Sequence, residues 1–120
     1  TLDDAFKIHA VEAVTDWSPF KDCPQVAAIF QGLVGVSIGY GWNRKLKELM
    51  GGVRGCTHLT ELLGPIATTA FQTIMSTRSD YCGDLDGAAQ EKPPYLDTCQ
   101  MLREDGEVVK KYWPKFYRPS

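Results

Sequence analysis

The residues best suited to chemistry in this chain are Cys23, Cys56 and His58, with Cys99 further on. Cys23 stands directly before Pro24, and Cys56 opens the run Cys56-Thr57-His58. Both positions precede segments that read as helices. A thiol at a helix start meets the positive end of the dipole and unpaired N–H groups, the usual setting of reactive and metal-binding cysteines. His58 adds an imidazole two residues from Cys56. Thiol and imidazole together suit zinc or an iron–sulfur cluster, with Cys23, Cys56, His58 and Cys99 as ligand candidates. The same pair, Cys56 and His58, suits nucleophilic catalysis with His58 as acid–base. The plainer alternative is structural. Free cysteine is among the most buried residue types, and the spacing here matches no zinc signature. Cys82 falls in an expected loop and is assigned no role.

Other polar residues read more simply. His9 lies in an apparent strand beside Lys7, a place for a surface histidine. Asp97 precedes a possible short helix and suits N-capping. Glu61 and Asp22 could act as acid or base only if buried beside His58. Lys110-Lys111-Tyr112-Trp113-Pro114-Lys115-Phe116-Tyr117-Arg118 is a basic aromatic tail. Such a tail can stack on single-stranded nucleic acid or hold an anionic cofactor, but docking on its own domain is the simpler role. No glycine-rich phosphate loop is present.

The elements that must position these residues can be read from periodicity. Phe6 to Thr15 alternates well enough for a strand, with Phe6, Ile8, Ala10 and Val14 on one face. Asp16 to Asp22 reads as a turn around Ser18-Pro19. A helix is expected from Cys23-Pro24, with Val26, Ile29, Phe30 and Leu33 inward. Val36 to Ile38 reads as a short extended piece. Asn43 is expected to cap a helix through Met50 that Gly51-Gly52 stops. The clearest helix follows Thr57 as N-cap. There Leu59, Leu62, Leu63, Ile66, Ala67, Ala70, Phe71 and Ile74 recur at three and four residues, with Pro65 expected to kink the helix or shift its effective start. Residues 76–95 read as a long loop, Leu96 to Arg103 as one or two helical turns, and 110–120 as the tail. Glu107 to Tyr112 fits either strand or helix.

Bulk properties bound the possibilities. The chain has 120 residues, 43% of them hydrophobic, enough for one core and one domain over 1–120. A formal net charge of -2 argues against binding duplex nucleic acid, which needs a basic excess. No stretch approaches the ~20 apolar residues of a membrane span. Four cysteines without a close pair suit reduced thiols and a cytoplasmic setting. The chain opens at Thr1 without Met, implying processing or an upstream part outside this sequence.

The block from Gly51-Gly52-Val53-Arg54-Gly55-Cys56-Thr57-His58 through Leu63-Gly64-Pro65 to Phe71-Gln72 closely resembles a bacterial family, domain of unknown function 2889. Val11-Glu12-Ala13-Val14-Thr15-Asp16, Cys23-Pro24 and Leu96-Asp97-Thr98-Cys99 resemble it too. The resemblance implies further strands upstream of Thr1. It also implies a histidine after the cysteine that matches Cys99, where this chain has Gln100. The order of strand, cysteine at a helix start, helix, and second cysteine at a helix start is similar, more loosely, to scaffold proteins of iron–sulfur cluster assembly.

The expected fold is therefore α+β, a small antiparallel sheet with three or four helices packed on one face. Another chain or an upstream fragment would complete the open edge at Phe6 to Thr15. Three functions fit: a metal or cluster site; a small catabolic enzyme with lyase or acyl-group chemistry on an organic acid or aromatic compound; and a non-catalytic subunit of a larger complex.

Overall fold

The computed structural model describes residues 1–78 and 91–120. It divides into two compact units, Thr1–Phe71 and Gln72–Ser120. The expected antiparallel sheet is not there. Among the described residues the only β-pairing is two isolated antiparallel bridges, Leu2 with Ile8 and Lys7 with Ser37.

Local chemistry at the start of the chain explains the missing strand. The Asp3 carboxylate accepts the backbone N–H groups of Ala5 and Lys7, both at 2.9 Å. A short acidic side chain that captures nearby N–H groups turns the backbone instead of extending it. Phe6 sits in that turn at φ 62°, the left-handed region that a strand cannot use. Its ring stacks on Phe71 at 6.0 Å. Beyond the turn, the Ile8 N–H donates to the Val36 carbonyl at 2.9 Å and the Ile38 N–H to that of Phe6 at 3.0 Å. Pairing fades after His9. The Ala10 carbonyl accepts the Thr1 ammonium at 2.8 Å and the Val11 carbonyl the Gln31 side-chain amide at 2.6 Å. No backbone–backbone hydrogen bond within the described structure reaches residues 11–15, which therefore form no strand. The leading strand behind the likeness to cluster-assembly scaffolds is thus absent.

A helix does begin at Cys23, but it is a 3-10 helix spanning Cys23–Leu33. Three residues per turn align positions 27, 30 and 33. Phe30 and Leu33 are accordingly buried, while Ile29, which an α-helix would turn inward, is 41% exposed. Helix α1 spans Trp42–Met50 and buries Trp42, Leu46 and Met50. Its N-cap is Gly41 at φ 80°, with no side-chain cap, so Asn43 lies inside the helix rather than capping it. Gly51 ends it, its N–H bonded to the Lys47 carbonyl at 3.1 Å. A Cβ at Gly51 or at Gly55 would strike the carbonyl oxygen of Lys47 or Met50 respectively, so this descent between helices needs glycine.

Helix α2 spans Thr57–Thr77 and continues through Pro65. The Thr69 hydroxyl donates to the Pro65 carbonyl at 2.9 Å. The Cys56 carbonyl accepts the Thr60 N–H at 2.8 Å, which makes Cys56, not Thr57, the N-cap residue. The core of the first unit joins Ile8, Phe30, Leu33, Trp42, Leu46, Met50 and Leu63. The buried Trp42 indole N–H donates to the Leu63 carbonyl at 3.3 Å, tying α1 to α2.

In the second unit, Met75, Pro93, Leu96 and Val109 are buried. Buried Glu104 forms ion pairs with Lys92 and, at 3.0 Å, with Arg118. Residues Glu107–Tyr112 form helix α3, which settles the strand-or-helix ambiguity. Asp97 caps no helix through its side chain; its carboxylate accepts the Glu104 N–H at 2.9 Å. The tail aromatics Tyr112, Trp113, Phe116 and Tyr117 are all half-buried, and Trp113 meets Tyr95 edge-on at 5.8 Å. The basic residues lie over those rings, Lys111 at 4.9 Å from the Tyr112 centroid, so the tail is used within its own unit. Of the expected 76–95 loop, α2 takes Ser76 and Thr77, and the part holding Cys82 lies outside the described residues. No helix among the described residues is long and apolar enough to cross a membrane.

Candidate functional site

The cysteine and histidine candidates do not assemble into one site. Cys23, Cys56 and Cys99 are free thiols, the first two half-buried and the third exposed. Cys56 Sγ lies 4.0 Å from His58 Nδ1, the outer limit of a sulfur hydrogen bond, and His58 is exposed in the first turn of α2. Among the described residues no group of three or more His, Cys, Asp or Glu side chains could hold a metal ion. Of the four proposed ligands, Cys56 and His58 are in contact. A structural zinc needs four donors and a catalytic one three. Asp22 is engaged by Gln25, whose side-chain amide donates to it at 3.2 Å, and Glu61 is exposed.

His9 has a definite partner. Its Nε2 donates to the Asp3 carboxylate at 2.7 Å. That bond first, then the Lys7 N–H, holds the Asp3 carboxyl below its ordinary value. The pair fixes the turn that carries Phe6.

An apolar concave feature of the first unit lies elsewhere. An open groove of about 400 Å³ runs between α2 and the chain segment 8–14. Leu59, Leu62, Leu63 and Ile66 form one wall; Ile8, Val11, Ala13 and Val14 form the other; Phe30, Leu33 and Trp42 belong to its floor. Among the described residues Glu12 is the one charged side chain on its lining. Neither Cys56 nor His58 lines it. Leu62 and Ile66 are 54% and 50% exposed. Val14, Trp17 and Phe20 on the neighbouring segment are exposed too, Trp17 at 95%.

Sequence reasoning placed Leu62 and Ile66 in the core and missed the groove. A signal was present. At 100° per residue, the eight apolar positions from Leu59 to Ile74 cover an arc of roughly 180°, wider than the roughly 100° that one packed face requires. Leu62 and Ile66 form one edge of that arc, and they overhang the core.

Among known proteins, a family profile described as "Protein of unknown function (DUF2889)" matches residues 1–72. The match ends where the first unit ends, so the resemblance at Leu96 to Cys99 lies beyond it. No curated protein and no solved structure matches the chain.

Proposed function

The chain belongs to the DUF2889 family across the residues that build the first unit, and from that premise we propose that this unit is a docking module, a non-catalytic subunit whose groove receives an apolar segment of a protein partner. The observation that carries this reading is the groove wall of Leu62 and Ile66, half-exposed on a helix whose other apolar residues are packed. Its volume alone would also suit a small molecule. The extent of the apolar surface favours a protein. Val14 lines the groove, and Trp17 and Phe20 follow it in the chain, both exposed. A small ligand in the groove leaves those rings in water, whereas a protein surface covers them.

A photo-crosslinking amino acid placed at 14 or at 62, in the cells that make the protein, tests this. Both positions should give the same protein adduct, identifiable by mass spectrometry. Position 53 should give none, because Val53 is fully exposed on the turn Gly52–Arg54 and outside the groove lining. Equal labelling from all three, or none from 14 and 62, overturns the reading.

A second reading rests on the 4.0 Å contact between Cys56 and His58. The pair is a thiol with a neighbouring base, open to reagents and suited to nucleophilic chemistry. As a metal site it would need further ligands from another molecule. If the imidazole assists the thiol, iodoacetamide should alkylate Cys56 about a hundredfold more slowly in His58→Ala, the low end of the range that general-base assistance spans. An unchanged rate assigns Cys56 its capping position and nothing more.

A further inference from the structure

We infer that the occupant of the groove is an extended peptide strand with alternating apolar side chains and a basic residue, laid along residues 11–15. The inference rests on the docking reading and specifies its partner. From His9 to Thr15 the chain makes no turn or bend. Burial alternates along it: Val11, Ala13 and Thr15 are half-buried, and Glu12 and Val14 are exposed. That is the two-residue period of a strand. The Val11 carbonyl is taken by the Gln31 side-chain amide at 2.6 Å. From Glu12 to Asp16, no backbone N–H or carbonyl is hydrogen-bonded within the described structure.

Those free groups decide which apolar partner fits. A helix could fill the groove with its side chains, but it has no backbone donors or acceptors to offer along its flank. It would exclude water from the 12–16 backbone without replacing the lost hydrogen bonds, at about 1–3 kcal/mol for each group stranded. An added strand pairs with them instead, the mode by which extended peptides dock on open edges. Its alternate side chains then fall on the wall of Leu62 and Ile66. Among the described residues Glu12 makes no ion pair, and Asp16 follows four residues on with its backbone equally free. Both carboxylates are acceptors for Lys or Arg across the strand pair.

The test uses the full chain, isotopically labelled, with three synthetic probes at up to millimolar concentration. One is a short capped peptide alternating Val and Thr with a central Lys. The second has Glu in place of that Lys. The third is an amphipathic helical peptide of Leu, Ala and Lys. The Lys strand peptide should bind and slow hydrogen exchange at backbone amides within 12–16. The Glu peptide should bind about three- to tenfold more weakly, and Glu12→Lys should reverse that order, as expected for one cross-strand charge pair. Glu12 is exposed and unpaired, so the variant keeps its fold, which its melting temperature will check. Tighter binding of the helical peptide, binding without amide protection, or a second copy of the chain closing the groove in sedimentation overturns the strand inference. If the strand peptide fails while crosslinks at 14 and 62 persist, this inference falls and the docking reading stands. If both fail, both fall.

Discussion

Leu33→Ala should destabilise the first unit by about 2–5 kcal/mol, while Ile29→Ala on the same helix should cost about 1 kcal/mol or less. Leu33 is 1% exposed and belongs to the central cluster with Phe30, Trp42, Met50 and Leu63. Its removal leaves a cavity whose walls come from the 3-10 helix, α1 and α2, and elements tied together in this way cannot all collapse inward. Ile29 is 41% exposed. In an α-helix the two residues, four apart, would share a face and cost similar amounts. In a 3-10 helix, Leu33 aligns with Phe30, and Ile29 lies on a different row. Thermal melts followed by circular dichroism separate the cases. Leu33→Ala should lower the midpoint by about 10 °C or more for a unit of this size, and Ile29→Ala by only a few degrees. Equal losses would mean that Cys23–Leu33 is α-helical in solution. A unit this small has about 4–10 kcal/mol of stability in total, so the larger loss could leave it partly unfolded at ambient temperature.

That contrast also shows where the sequence was readable. Cys23-Pro24, Gly51 and the leucine-rich run after Cys56 marked helix ends and one long helix, because proline, glycine and apolar spacing act through local sterics. The type of the first helix was not readable, since Val26, Ile29, Phe30 and Leu33 suit an α stripe and a 3-10 row almost equally well. The strand at Phe6 to Thr15 failed for a different reason. Alternation at Ile8, Ala10 and Val14 describes an extended chain, but a strand exists only if a neighbour pairs with it. Here the Asp3 turn diverts the chain at Phe6, and no backbone–backbone hydrogen bond within the described structure reaches residues 11–15. The phase of the alternation is reversed as well: Ala10 and Val14 are exposed, while Val11, Ala13 and Thr15 are half-buried.

The candidate site was legible in composition and not in position. Cys56 and His58 do meet, because two residues at the start of one helix are close by construction. Cys23 and Cys99 depended on long-range packing that spacing cannot reveal, and they do not join that pair in a metal cluster. The groove was hidden because an apolar helical residue is assumed to face the core. Only the excess width of the α2 stripe distinguished Leu62 and Ile66 from their packed neighbours.

Ile66→Glu should reduce crosslinking from position 14 by about a hundredfold or more while leaving the melting temperature within a few degrees of the parent. Two opposing effects set this expectation. In the free protein, half-exposed Ile66 contributes only part of the ~1.5–3 kcal/mol that a fully buried isoleucine would, and Glu favours a helix slightly more than Ile does. The net change in folding is therefore about 1 kcal/mol or less, and the carboxylate can reach water. In the occupied groove the same carboxylate meets an apolar wall with no Lys, Arg or His side chain among the described lining residues. Desolvating an unpaired charge there costs several kcal/mol, and each 1.4 kcal/mol is about tenfold in affinity. Val53→Glu controls for the added charge, since that side chain is fully exposed and outside the groove lining; it should change neither crosslinking nor melting. If Ile66→Glu lowers the melting temperature as far as Leu33→Ala does, Ile66 belongs to the core in solution and the groove is closed. If it preserves both stability and crosslinking, the partner sits elsewhere, and the exposed rings of Trp17 and Phe20 become the surface to test.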